Sequence, residues 1–270
     1  MRIEMRKNKE LILWIFIIGI LFLGVLPILL MLVSSFSKGW NWPEVFPNNL
    51  SLRAWQYIFS RTSKTLEGIG MSFKIALIVT MMNLILAVPA GDALGRYDFK
   101  GKKAIESILF MPIIVPPIVV MMGMYKTFIR LNLTESIMGV VMAHMIPTLP
   151  YMIRAIAISF RHLGFEWEEQ AKMLGAGKFT RFFYVIFPFL LPGIVAGSSL
   201  TVLISFSQYI VTVFIGGGRI VTLPILMFPF INGNDQSIGA AYTIIFAIMA
   251  ILSLWILDLF LKRYYENIDK

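Results

Sequence analysis

Few residues in this sequence can do chemistry, and their types exclude more than they offer. Cysteine is absent, which removes disulfides, iron–sulfur clusters and thiolate metal sites. Only two histidines occur, His144 and His162, so no ligand set for a metal is in view. No segment clusters His, Asp or Ser at catalytic spacing, and an enzyme has no constellation to work with. The stretch GAGKFT at 175–180 faintly resembles a phosphate-binding loop. That loop, G-x-x-x-x-G-K-[ST], needs Gly at 172 and Ser or Thr at 179, where the chain has Lys172 and Phe179. Nucleotide is not held this way, and no cofactor is assigned to the chain.

Two patterns remain. The first is a polar stripe, Ser198, Thr201, Ser205, Gln208 and Thr212, at steps of 3, 4, 3 and 4, which puts all five on one helix face. Such hydroxyls either join helices or line a polar path. Gln208 beside Tyr209 is hard to hide in lipid and favours the path. The second pattern is RHLGFEWEEQAKMLGAGKFTRFF, Arg161 to Phe183. Glu166, Glu168 and Glu169 suit the first turn of a short helix over 166–174, where they complement its dipole. Gly175 and Gly177 break that helix, and 178–187 can resume as a second one. An elbow of this kind with exposed aromatics is costly unless covered. It is either a docking site for a partner or an amphipathic element lying on lipid.

The elements that carry these patterns are membrane helices. Of 270 residues, 58% are hydrophobic and 14% charged, with mean hydropathy +0.78. A soluble domain carries about 25% charged residues. The net charge of +9 resides between long apolar runs, which points to membrane topology rather than nucleic acid. A bilayer core of about 30 Å needs about 20 apolar residues of helix. Runs at 11–33, 75–91, 107–125, 136–153, 189–212 and 236–257 predict six spans in an all-α polytopic protein. The first run is expected to be an uncleaved helix rather than a signal peptide. The stretch 220–234, with Pro224 and Pro229, is too short to cross and reads as re-entrant or surface. Prolines recur inside the spans, from Pro27 to Pro192, each removing a backbone donor.

With both termini inside, sixteen Lys and Arg fall on the cytoplasmic side and eight outside, which satisfies the positive-inside rule. The outer segment 34–72 carries Trp40, Trp42 and Trp55, suited to an interface. Asp92 and Asp258 lie near cytoplasmic helix ends, where Arg96 and Lys262 are their expected partners. His144, mid-span, reads as a hydrogen-bonded packing residue rather than a ligand. Gly216, Gly217 and Gly218 suit a mobile or closely approached outer loop.

Glu169-Gln170-Ala171, then Gly175 six residues after the Glu, Val185 and Phe187-Pro188 resemble the EAA signature of bacterial ABC importer permeases, roughly E-A-A, three residues, G, nine residues, I-x-L-P. Gln170, Val185 and Phe187 depart from it; the Glu, the second Ala, the Gly and the Pro hold. RYDFKGKK (96–103), ILFMPIIVPP (108–117) and LGAGKFTRFFYVIFPFLLPGI (174–194) also look like this family, over about 70–265. The second permease of spermidine/putrescine-type importers is especially similar. The resemblance implies a type I importer permease fold in one membrane domain, 1–270, with a coupling segment at about 160–186. Glu169, Gln170, Ala171, Gly175, Ala176 and Pro188 would dock on a cytoplasmic ATP-binding subunit. It further implies a homologous second permease, two ATPase copies holding ATP and Mg, and an extracytoplasmic binding protein that Gly216–Gly218 would meet. Ser198, Thr201, Ser205, Gln208, Tyr209 and Thr212 would face the pathway.

The expected function is therefore a bacterial inner-membrane importer subunit. Its solute would be polyamine-like, a phosphonate, ferric iron or an organic acid. Polyamine permeases tend to carry acidic residues where this chain has Ser205-Phe206-Ser207-Gln208-Tyr209. The alternative, a self-sufficient secondary transporter or channel, finds few intramembrane charges for ion coupling and no filter-like repeat.

Overall fold

The computed structural model describes residues 2–40, 44, 46–233 and 235–268. The chain is helical: α1 (Arg2–Ser35), α2 (Arg53–Ile58), α3 (Thr65–Arg96), α4 (Lys102–Ile114), α5 (Pro117–Arg130), α6 (Ile137–Leu163), α7 (Glu166–Met173), α8 (Lys178–Arg181), α9 (Phe187–Ser207), α10 (Tyr209–Gly216), α11 (Leu223–Ile231) and α12 (Gln236–Ile268). A π-helical turn, Phe182–Ile186, joins α8 to α9 just ahead of Pro188, whose missing N–H leaves a backbone carbonyl to be accommodated.

The expected six spans are not reproduced one for one. Among the described residues four helical stretches are long and apolar enough to cross a bilayer: Thr65–Arg96, Ile137–Leu163, Lys178–Ser207 and Gln236–Glu266. A fifth is the pair α4–α5, bent by 102°. The run 107–125 was expected to be one helix. Val115 and Pro116 are extended (ψ 133° and 132°), because a residue before proline is pushed out of the helical region, and Pro117 then opens α5. The helix expected over 189–212 is also interrupted, at Gln208 (ψ 77°). The segment too short to cross becomes α11, nine residues long.

The chain folds as two compact units, Met1–Lys64 with Met227–Ala247, and Thr65–Leu226 with Ile248–Lys270. In the first, Arg53 grips both carboxylate oxygens of Asp235 at 2.7 and 2.6 Å, and Ser37 meets Ser237 at 3.3 Å. Trp55 stacks between Phe36 and Phe59, and the Trp40 indole donates to the Glu44 carbonyl. Trp42 lies outside the described residues.

In the second unit α6 is the central helix, packed by α3 and α9. Ile75, Val79, Val140, Val141, Val211 and Ile215 fill one cluster. Ala87, Met152, Ile153, Ile156 and Leu190 fill another. Close approach is set by two small-x-x-x-small pairs. A Cβ on Gly91 would lie 2.7 Å from Ile156 Cγ2, and one on Gly95 2.5 Å from the Ala157 carbonyl oxygen. On α9, a Cβ on Gly193 would lie 2.8 Å from the Ala155 carbonyl oxygen, and one on Gly197 2.5 Å from Met152 Sδ. Without a hydrophobic drive between helices in lipid, such small residues provide the dispersion contact.

Candidate functional site

The elbow between α6 and α9 is built by local hydrogen bonds. After α7 ends, the Gly175 N–H donates to the Lys172 carbonyl and the Ala176 N–H to the Ala171 carbonyl, both at 3.0 Å. These two bonds and Gly175 at φ +82° form a Schellman motif, which satisfies carbonyls that the helix end would leave orphaned. Ala171, Gly175 and Ala176 are thereby explained by backbone geometry. Glu169 and Gln170 point outward and are exposed. The Pro188 carbonyl accepts from the Tyr265 hydroxyl at 3.2 Å.

The elbow's outer face is apolar and uncovered. Met173 is 81% exposed, Leu174 88%, Phe179 82% and Tyr184 80%, and Trp167 is also exposed. Side chains of this kind are rarely left in water at this density.

Its inner face is bolted to α3 by Arg96, whose side chain is only 5% exposed. The Arg96 guanidinium donates to Asp92 Oδ1 at 2.5 Å, to Glu168 Oε2 at 2.8 Å and to the Gly164 carbonyl at 3.1 Å. It also lies 4.9 Å from the Phe160 ring centroid and 4.7 Å from that of Phe165. The Asp92–Arg96 and Asp258–Lys262 pairs expected from the sequence are both present. The link to Glu168 was not readable, because 72 residues separate the partners.

The polar stripe divides in two. Ser198, Thr201, Ser205 and Thr212 are buried, whereas Gln208 and Tyr209 are partly exposed. His144 on α6 spans the break between α9 and α10. Its Nδ1 is 3.0 Å from Ser205 Oγ, and its Nε2 is 2.9 Å from Thr212 Oγ1. The Thr212 hydroxyl donates to the Gln208 carbonyl, so the proton on the imidazole belongs on Nε2, leaving Nδ1 to accept from Ser205. Beside it the Asn83 amide donates to Thr148 Oγ1 at 2.8 Å, and Thr148 donates to the His144 carbonyl. His144 is thus a hydrogen-bonded packing residue, as expected.

Gln208 borders a small cavity of about 50 Å³ with Pro112, Pro117, Met121, Met124 and Pro147. The bend of α4–α5, the break of α9–α10 and a proline of α6 therefore meet at one place. Irregular backbone at membrane depth is tolerated where it is buried in protein or lines a cavity.

The glycine loop is tightly held. Gly217 (φ +55°) and Gly218 (φ +76°) take left-handed conformations, and a Cβ on Gly217 would lie 2.6 Å from Glu135 Cγ. The Glu135 N–H donates to the Ile215 carbonyl at 2.7 Å, and Arg219 pairs with Glu135 at 3.0 Å. Among the described residues, no group of three or more His, Asp or Glu is placed to hold a metal.

Comparison with known proteins places this architecture. The family described as "Binding-protein-dependent transport system inner membrane component" matches residues 84–265, well over half the chain. The spermidine/putrescine transport system permease protein PotC of Haemophilus influenzae is 28% identical over 242 residues, covering 85% of this chain and 87% of that one. The molybdenum transport system permease protein ModB of the same organism is 28% identical over 223 residues, covering 76% and 97%. The arabinooligosaccharides transport system permease protein AraQ of Halalkalibacterium halodurans is 25% identical over 279 residues, covering 96% and 95%. A chain in the crystal structure of a bacterial ABC transporter that imports the acidic polysaccharide alginate has the same fold, with TM-score 0.66 at 14% identity over 96% and 97% of the two chains. The chain belongs to the family of inner-membrane components of binding-protein-dependent transport systems, the permease subunits of ABC importers.

Proposed function

We propose that this subunit forms half of the translocation pathway for a small solute and takes its energy from ATPase subunits that dock on the elbow. The uncovered apolar face of α7–α8, fixed to the bundle by Arg96, carries this reading. It is a rigid lever with an unfilled partner side. Glu169 and Gln170 supply polar contacts to a cleft on one of the two ATPase copies, Gly175 and Ala176 set the turn, and Pro188 starts the helix that transmits the movement. ATP and Mg reside on those subunits, and this chain holds no cofactor. A homologous second permease completes the pathway, and both termini lie at the cytoplasmic face.

Gln208 and Tyr209, at the junction of the broken helices, are the pathway residues of choice. The other stripe residues hold the junction from behind. The absence of acidic side chains between Ser205 and Tyr209 speaks against a polycation as cargo. A phosphonate, ferric iron or organic acid remains within the reading. Gly217, held against Glu135, and the open Gly218 present backbone to an extracytoplasmic binding protein, while Gly216 is buried at the end of α10.

The test is substitution at the elbow. Gly175→Val places a β-branched residue at a left-handed position and costs about 1–2 kcal/mol locally, while Glu169→Lys reverses a contact charge. Uptake and stimulated ATP hydrolysis should both fall at least about tenfold, with insertion into the membrane unchanged. Full uptake in both variants would refute the docking role.

A further inference from the structure

α4 has no buried residue, and it stands off α6 across a cavity of about 790 Å³. The two helices run in opposite directions, so one end of this cavity lies level with the elbow and the other reaches toward the middle of the spans. Lys103, on the first turn of α4, and Arg161, near the end of α6, line the elbow end. Arg154 lies seven residues before Arg161, on the same α6 face and about 10 Å deeper. Its guanidinium is 5.4 Å from the Phe110 ring centroid, which ties α6 to α4 across the gap. Among the described residues none of these three cations forms an ion pair. Ile158 lies between the two arginines, and beyond Arg154 the wall turns apolar, with Pro150 and Ile153 on α6 and Ile114 on α4.

We propose that this cavity binds an anionic phospholipid from the leaflet on the elbow's side, with its phosphodiester among Lys103, Arg154 and Arg161. The acyl chains run along Ile114 and Ile153 into the bilayer. A basic rim above an apolar floor between membrane helices matches such a lipid. A free anion would gain the rim and nothing from the floor. Glu106 and Ser107 also line the rim, so a headgroup that carries hydroxyls, such as glycerol, finds two acceptors there, the Glu106 carboxylate and the Ser107 oxygen, whose own proton goes to the Lys103 carbonyl. The lipid fills the standing gap and braces α4 against α6, next to the point where the elbow leaves α6.

The experiment is native mass spectrometry of the full chain extracted from its own membrane in mild detergent. Phosphatidylglycerol, phosphatidylcholine with the same acyl chains, and inorganic phosphate are added in turn. Phosphatidylglycerol should remain bound and phosphatidylcholine should not. Millimolar phosphate should fail to displace the lipid, which separates a headgroup site from a free-anion site. Arg154→Gln and Arg161→Gln should each weaken retention about fivefold. Arg154→Lys, which keeps the charge, should retain most of the lipid. Ile114→Trp, which narrows the apolar floor at the far end of α4 from Lys103 and leaves the rim intact, should also reduce retention, and it tests the site if the charge variants do not fold. Equal retention of both lipids overturns the proposal, as does displacement by phosphate or undiminished retention in Arg154→Gln and Ile114→Trp.

Discussion

Arg96 joins three parts of the chain that the sequence keeps apart: its own helix through Asp92, the turn at Gly164, and α7 through Glu168. An arginine that is only 5% exposed satisfies its charge there with two carboxylates and its flat faces with Phe160 and Phe165. Removing it leaves Asp92 and Glu168 as partly exposed neighbours that water can reach. Arg96→Gln should therefore cost about 1–2 kcal/mol, below the penalty for a fully buried pair. The cost should appear as release of α7, seen as faster proteolysis within 164–186, and as weaker coupling of ATP hydrolysis to uptake. Arg96→Lys should recover only part of both, since a point charge cannot serve three acceptors in the guanidinium's plane. Unchanged proteolysis in Arg96→Gln would show that α7 is held by other contacts. At this scale the elbow glycine and the Asp92 half of the bolt were legible, and the link to α7 was not. Gly175 acts within six residues of chain and Asp92 is four residues from Arg96, whereas Glu168 lies 72 residues on.

Helix interruptions and helix contacts decide what the spans can do. The Pro116-Pro117 break follows from local sterics, yet only the fold shows that it turns the chain by 102°. The break at Gln208 has neither proline nor glycine at that residue and is held by His144 from another helix. It is a tertiary feature. The paired glycines on α3 and α9 lie on faces that α6 must approach closely. Gly193→Ala places a methyl 2.3 Å from Ser159 Oγ and should lower stability by about 1–3 kcal/mol. Gly123→Ala on α5, with nothing within 4 Å, should be neutral or stabilise by up to about 1 kcal/mol. Thermal unfolding in detergent distinguishes the two. Equal behaviour would mean that α6 and α9 are not in close contact in solution.

For the whole molecule, the absence of native cysteine makes accessibility a direct readout of the pathway. Gln208→Cys and Tyr209→Cys should react with water-soluble thiol reagents, and ATP trapped on the partner should change their rates. Thr201→Cys, at a position with 0% exposure, and Leu203→Cys should stay protected. Protection at all four positions would place the pathway elsewhere and leave the α9–α10 break as packing. Ser205, which the stripe alone groups with Gln208, is expected to be unreactive because it faces His144.

Composition and apolar run length were enough to determine a helical membrane protein, since the cost of unsatisfied backbone in lipid leaves little choice. The elbow was also readable, because a Schellman turn needs only the residues within it. Tertiary structure decided the rest. It buried four of the five stripe residues and joined two of them, Ser205 and Thr212, to His144, a pairing across helices that bare helical periodicity cannot reveal. It also brought Glu168 to Arg96 and set α4 apart from α6, because such contacts depend on how helices pair across the chain.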